Sequence, residues 1–133
     1  MKKIIACLLT AVGLTTACGQ KNYANTDTQG FAELIDSPDV VLVDVRSQSE
    51  YREGHLSGAL NIDQSESDFI EKASAALPKE KTIAVYCRSG RRSASAASRL
   101  AAEGYRVVNL KGGIMAWKEE GMPVTTSSRH HSD

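Results

Sequence analysis

The chain has 133 residues, with sixteen basic and sixteen acidic side chains and a formal net charge of zero. That length suits one domain around one core. The balanced charge offers no overall field for nucleic acid, and the ordinary apolar and charged fractions exclude collagenous, low-complexity and repeat architectures.

Residues 1–17 read as an export signal. Lys2 and Lys3 precede an apolar run of eleven residues from Ile4 to Leu14, too short for the ~20 residues that span a bilayer. Thr15, Thr16 and Ala17 then lead into Cys18. This order resembles a bacterial lipoprotein signal. The resemblance implies a lipidated Cys18 as the first mature residue, and a protein exported and anchored to a bacterial membrane, facing the periplasm or the outside. The alternative is an ordinary cleaved signal with Cys18 as a bystander. Removing residues 1–17 takes away Lys2, Lys3 and Cys7 and leaves a formal charge of −2. If Cys18 carries lipid, Cys87 is the one free thiol left. Exported proteins usually pair their cysteines, so a lone one is either buried and inert or kept for reactivity.

Residues 18–26 read as the anchor cysteine followed by a polar, aperiodic tether. Phe31, Leu34 and Ile35 have helical spacing, stopped at Ser37-Pro38. Val40 to Val45, VVLVDV, is a β-branched run of the kind buried on both faces of a parallel sheet. A polar stretch follows, then a turn between Gly54 and Gly58 and a short strand candidate at 59–62. Phe69, Ile70, Ala73, Ala76 and Leu77 mark a helix ending at Pro78. Thr82 to Tyr86 is a second buried strand. Residues 93–103 form an Ala-rich helix with Ala97, Leu100 and Ala101 on one face and Gly104 as its stop. Val107 to Leu110 is a further strand, and 112–120 a last helix closed by Gly121 and Pro123. The end of the chain, TTSSRHHSD, is polar and reads as loose, and 126–133 is set apart as a tail. Alternating strands and helices predict a single α/β domain over 27–125, a parallel sheet covered by helices on both faces.

Ligands of such sheets bind at the carboxyl ends of strands. Cys87 lies there, between a strand and a helix, in the stretch CRSGRRS. Free N–H groups at the helix start, near Arg91 to Ser93, favour an anion, and Gly90 permits a turn that gathers them. Arg88, Arg91 and Arg92 add positive charge. Each effect lowers a thiol pKa, and the thiolate is the nucleophile. The same loop can receive a small dianion. The bland reading is a structural cysteine followed by a basic turn.

Three separated stretches carry a family resemblance: VDVRSQSEYREGHLSGALNI at 43–62, CRSGRRS at 87–93 and LKGGIMAWKEEGMPV at 110–124. They resemble the signatures of the rhodanese family, in order and across nearly the whole mature domain. The resemblance implies a rhodanese-like fold and a thiosulfate-type sulfurtransferase. Cys87 would cycle between thiolate and persulfide. Arg88 and Arg92 would steady a donor such as thiosulfate, and N–H groups of residues 88–92, including Ser89, Gly90 and Arg91, would cradle the persulfide. An acceptor such as cyanide or a thiol would remove the outer sulfur. No metal or organic cofactor is needed. Asp44 and Arg46 are expected to form an ion pair or hydrogen bonds behind the loop.

Other residues invite weaker readings. His55 reads as a capping or packing residue rather than a base, and Trp117 as core. Ser89 and Ser93 hydroxyls either hold the sulfur anion or cap the helix. His130 and His131 are too few for a metal site. Three rivals stay open. A phosphatase or arsenate reductase would use this fold for a larger oxyanion. Cysteine phosphatases keep five residues between Cys and Arg, whereas four separate Cys87 from Arg92. A binding module would keep the fold alone, though such modules often lack the cysteine. A thiol–disulfide protein would need a resolving cysteine nearby, and the mature domain supplies none.

Overall fold

The structure, a computed structural model, describes residues 22–127. The signal 1–17, Cys18 and the final six residues lie outside that range. Five strands and five helices follow one another in the order β1 (Ala24–Thr26), α1 (Thr28–Leu34), β2 (Val40–Asp44), α2 (Gln48–Glu53), β3 (Leu60–Asn61), α3 (Phe69–Ala76), β4 (Thr82–Tyr86), α4 (Arg91–Ala102), β5 (Arg106–Leu110) and α5 (Gly113–Glu119). All pair in parallel in the order β1-β5-β4-β2-β3. This is the α/β architecture that the alternating pattern predicts.

The β-branched runs divide their side chains between two cores, because successive strand residues point to opposite faces. Val43, Val45, Ile83, Val85 and Val107 pack with Phe69 and Ala73 of α3 and with Ala96, Ala97 and Leu100 of α4. Leu42, Ala84, Tyr86 and Leu110 face the other way, onto Phe31 of α1, Tyr51 of α2, and Ile114 and Trp117 of α5. Helices on both faces therefore follow from the unbroken apolar runs of the central strands. Trp117 is core, as read, and its indole N–H donates to the Pro123 carbonyl at 2.9 Å.

Three details differ from the sequence reading. Ala24–Thr26, assigned to the tether, is the edge strand β1, paired with Val108–Leu110. Its residues Ala, Asn and Thr carry no apolar alternation, so only the pairing with β5 identifies it. The polar stretch after β2 contains α2, whose one buried side chain is Tyr51. A capping box starts it: the Ser47 hydroxyl accepts from the Glu50 N–H while Glu50 accepts from the Ser47 N–H, an arrangement worth about 1 kcal/mol. Helix α4 begins at Arg91, within the expected start at 91–93, and turns Ser93, Ala96, Ala97 and Leu100 inward. The start of the polar terminal stretch is pinned: Thr125 and His55 exchange backbone hydrogen bonds at 2.9 and 2.8 Å. His55 is buried, stacks on Tyr51 at 3.6 Å between centroids and places its ring nitrogens against the carbonyls of Tyr51 and Ser127. Its stacking and hydrogen bonds make it a packing residue.

Candidate active site

Strand β4 delivers Cys87 to the carboxyl edge of the sheet, and the chain turns at once into α4. The turn depends on Gly90, whose φ of +100° lies in the left-handed region. It brings the Gly90 N–H to 3.1 Å from Cys87 Sγ. The Ser93 hydroxyl donates to the same sulfur at 3.3 Å. Gly90 is the N-cap of α4 and provides no side-chain cap. The sulfur stands in that place, facing the open N–H groups of the first turn.

These contacts set the thiol's acidity. Burial pushes the Cys87 thiol up, but the Ser93 hydroxyl and the N–H groups of Ser93, Gly90 and Ser89 outweigh it, and the net shift is downward. Cys87 is 1% exposed, so its sulfur is met by protein donors rather than by water. Of the two roles open to Ser93, sulfur contact is the one its hydroxyl takes.

The loop is fixed from outside by α5. The Ile114 and Met115 N–H groups donate to the carbonyls of Cys87 and Arg88 at 2.9 and 3.1 Å. Holding those carbonyls outward leaves the following N–H groups free to face the sulfur. Gly113 lets α5 come this close: a Cβ there would overlap the Arg88 carbonyl group and the Cys87 carbonyl oxygen.

Behind the loop lies a buried polar cluster. Asp44 and Arg46 pair at 2.7 Å, with Asp44 fully buried. Arg46 also donates to the Gly54 carbonyl at 2.7 Å, and Tyr86 donates its hydroxyl to Asp44 at 2.7 Å. The Tyr86 oxygen in turn accepts the Leu56 N–H at 3.0 Å. Burial and the Asp44 charge push the Tyr86 hydroxyl well above its ordinary pKa. Each charge has its partners, as a buried pair requires, and the cluster ties β2 and β4 to the segment after α2.

The three arginines separate. Arg88 and Arg91 are exposed and make no ion pair among the described residues. Arg92 turns toward α2 and meets Glu50 in a two-pronged pair, both contacts at 2.9 Å. Arg92 holds the Glu50 carboxyl down to about 2, against a smaller upward push from burial, and Glu50 raises Arg92. The sequence reading missed Glu50. Its signal was the S-x-x-E capping box, which places Glu50 one turn into α2. Asn109 was missed too. Its side-chain N–H groups donate to Asn25 Oδ1 at 3.0 Å and to the Gly90 carbonyl at 3.3 Å.

The assembly gathers hydrogen-bond donors around a buried sulfur of lowered pKa, an arrangement that suits a thiolate nucleophile and a charged sulfur intermediate. Residues 27–120 match the family described as Rhodanese-like domain. The chain is 40% identical over 92 residues to a sulfurtransferase of Allochromatium vinosum, covering 68% of this chain and 83% of that one. It is 39% identical over 88 residues to a thiosulfate sulfurtransferase of Coxiella burnetii, covering 65% of this chain and 78% of that one. A rhodanese-related protein of Thermoplasma volcanium superimposes with a TM-score of 0.71 at 33% identity, covering 79% of this chain and all of that one.

Proposed function

The chain belongs to the rhodanese-like family, and from that premise we propose that it is a sulfurtransferase carrying sulfane sulfur on Cys87. The observation that carries this reading is the convergence of the Gly90 N–H and the Ser93 hydroxyl on a buried sulfur. Relatives named sulfurtransferase and thiosulfate sulfurtransferase support it.

The mechanism has two halves. The Cys87 thiolate attacks the outer sulfur of thiosulfate or a related donor. The donor's S–S bond breaks, sulfite leaves with the bonding pair, and Cys87 carries a persulfide. The N–H groups that lower the thiol pKa stabilise the persulfide anion in the same way. A thiophilic acceptor then takes the outer sulfur and returns Cys87 as a thiolate. Arg88 and Arg91, exposed beside the loop, supply charge to draw in an anionic donor. Arg92 serves mainly to lock the loop onto α2, because Glu50 takes up both ends of its guanidinium. Intact mass after incubation with thiosulfate tests the reading. A gain of one sulfur on wild type, removed by cyanide and absent from Cys87→Ser, is expected. A folded wild-type protein that gains no sulfur overturns it.

The reading extends to place. Cys18 is the lipid attachment point of an exported protein, on the strength of the charged and apolar pattern of residues 1–17. Cys18→Ala should leave the protein unprocessed or move it out of the lipid fraction. Processing and fractionation like wild type would remove the anchor.

A further inference from the structure

Strand β5 buries a polar side chain where its pattern calls for an apolar one. Residues two apart on a strand share a face, and Val107 packs in the core against α4. Asn109 lies on that same face and is 2% exposed. Its Oδ1 has no hydrogen-bond partner among the described residues, which costs stability. The compensation is at the other end of the amide. Nδ2 donates to Asn25 Oδ1 at 3.0 Å and to the Gly90 carbonyl at 3.3 Å. Both partners are acceptors, so the amide nitrogen has to face them.

These contacts join three parts of the fold. Asn25 stands opposite Asn109 across the β1–β5 pairing, and Gly90 closes the cysteine loop. Gly90 is also the residue whose N–H donates to Cys87 Sγ at 3.1 Å. A glycine has unusual freedom in φ and ψ, so the direction of that N–H depends on what grips the residue. Three holds act on Gly90. Its carbonyl accepts the Ala94 N–H at 3.1 Å and the Asn109 amide. The backbone of Leu110 to Gly112 backs it so closely that a Cβ would lie 3.1 Å from the Gly112 nitrogen. Of these, only the Asn109 contact comes from a side chain.

We propose that Asn25 and Asn109 are a positioning pair for the reactive sulfur: Asn25 orients the Asn109 amide, Asn109 holds the Gly90 carbonyl, and Gly90 thereby aims its N–H at Cys87 Sγ. The pair acts through Gly90 and makes no hydrogen bond to the sulfur itself. It gives the short polar edge strand β1 a part in setting the acidity of a thiol on the central strand β4. The same N–H group would face a persulfide, so the effect on sulfur loading rests on the sulfurtransferase reading, while the effect on the thiol does not.

The test follows alkylation of Cys87 by iodoacetamide across pH in the full-length protein, read by mass on the Cys87 peptide. Asn109→Leu keeps the side-chain volume and strands no acceptor, because the Gly90 carbonyl retains the Ala94 N–H and Asn25 is exposed. Arg88, Arg91 and Arg92 of the loop, Lys111 beside it and the Asp44–Arg46 pair behind it keep their charges in every variant. The Asn109→Leu profile should move to higher pH, with alkylation at neutral pH slowed about two- to fivefold, within the worth of one hydrogen bond. Asn25→Ala should move it the same way by about twofold, and should add nothing in the Asn109→Leu background, since residues acting in series are not additive. A bridge that only stabilises the fold would lower the urea midpoint and leave the profile in place. That result, or additive effects of the two substitutions, overturns the proposal. If Asn109→Leu does not fold, Asn25→Ala decides alone, and an unmoved profile overturns the proposal. Alkylation needs no sulfur transfer. A wild type that gains no sulfur from thiosulfate therefore overturns the sulfurtransferase reading alone, and the two failures are distinct.

Discussion

Glu50 and Arg92 meet in a two-pronged ion pair, 2.9 Å at each contact, that fastens the first turn of α4 to α2. The two residues are 42 positions apart in the chain. Their pairing closes the cysteine loop on the side opposite Asn109.

The pair has a pH signature. Glu50 titrates near 2 in the folded protein against an ordinary value of 4.5. A depressed carboxylate stabilises the fold fully above its unfolded value, and that contribution disappears as pH falls from about 4.5 toward 2. Glu50→Gln should cost about 1 kcal/mol at neutral pH, as expected for a partly exposed pair. Urea midpoints of wild type and variant should converge as pH falls through that window. A gap that stays constant down to the lowest pH would show that the charge of Glu50 contributes nothing.

The thiol gives a second prediction. The Ser93 hydroxyl is the largest of the influences that lower the Cys87 pKa against burial. Ser93→Ala should move the alkylation profile of Cys87 to higher pH and slow alkylation at neutral pH about two- to tenfold, the worth of one hydrogen bond. Iodoacetamide rates across pH measure it. An unmoved profile would mean that the backbone N–H groups alone set the thiol's acidity.

A third prediction contrasts two glycines with positive φ. Gly113, at +62°, has no room for a Cβ against the carbonyls of Cys87 and Arg88, whereas Gly121, at +80°, has nothing within 4 Å. Gly121→Ala should cost only backbone strain of about 1 kcal/mol and leave persulfide loading intact. Gly113→Ala should cost roughly 2 kcal/mol or more, and any protein that folds should load sulfur poorly because α5 no longer seats the loop. Denaturation and mass after thiosulfate read both effects. Equal loading by the two variants would contradict the bracing role of α5.

These residues also show why the sequence was readable in some places and silent in others. VVLVDV and TIAVY announced buried strands because β-branched runs have few other stable fates in a domain this size. Cys87 stood out because it followed such a strand. Ala24–Thr26 and α2 have no apolar periodicity to show, since one is a polar edge strand and the other buries only Tyr51. Missing α2 meant missing Glu50, the partner that Arg92 takes in the structure. Asn109 sits inside a strand between apolar neighbours. Its contact with Gly90 depends on β1 and β5 lying together, a tertiary fact with no local signal.

The last prediction separates sulfur from phosphorus chemistry by loop length. Four residues lie between Cys87 and Arg92. Within that span the loop is held on three sides, by Asn109 at the Gly90 carbonyl, by α5 at the carbonyls of Cys87 and Arg88, and by Glu50 at Arg92. The result is a Gly90 N–H at 3.1 Å from the sulfur. An added sulfur atom can take up such donors, whereas a tetrahedral phosphoryl group needs a wider ring of them. Small differences of pocket size are worth only a few kcal/mol, but steric exclusion by fixed backbone can be much larger. Wild type should therefore load sulfur from thiosulfate and hydrolyse aryl phosphates poorly or not at all. Inserting one Gly between Ser89 and Gly90 widens the loop and displaces the Gly90 N–H. It should depress persulfide formation and, if it changes phosphate hydrolysis, raise it. Thiosulfate:cyanide turnover and aryl phosphate hydrolysis, measured on both proteins, decide the matter. Efficient phosphate hydrolysis by the unmodified protein, with no sulfur gained at Cys87, would assign this loop to phosphorus.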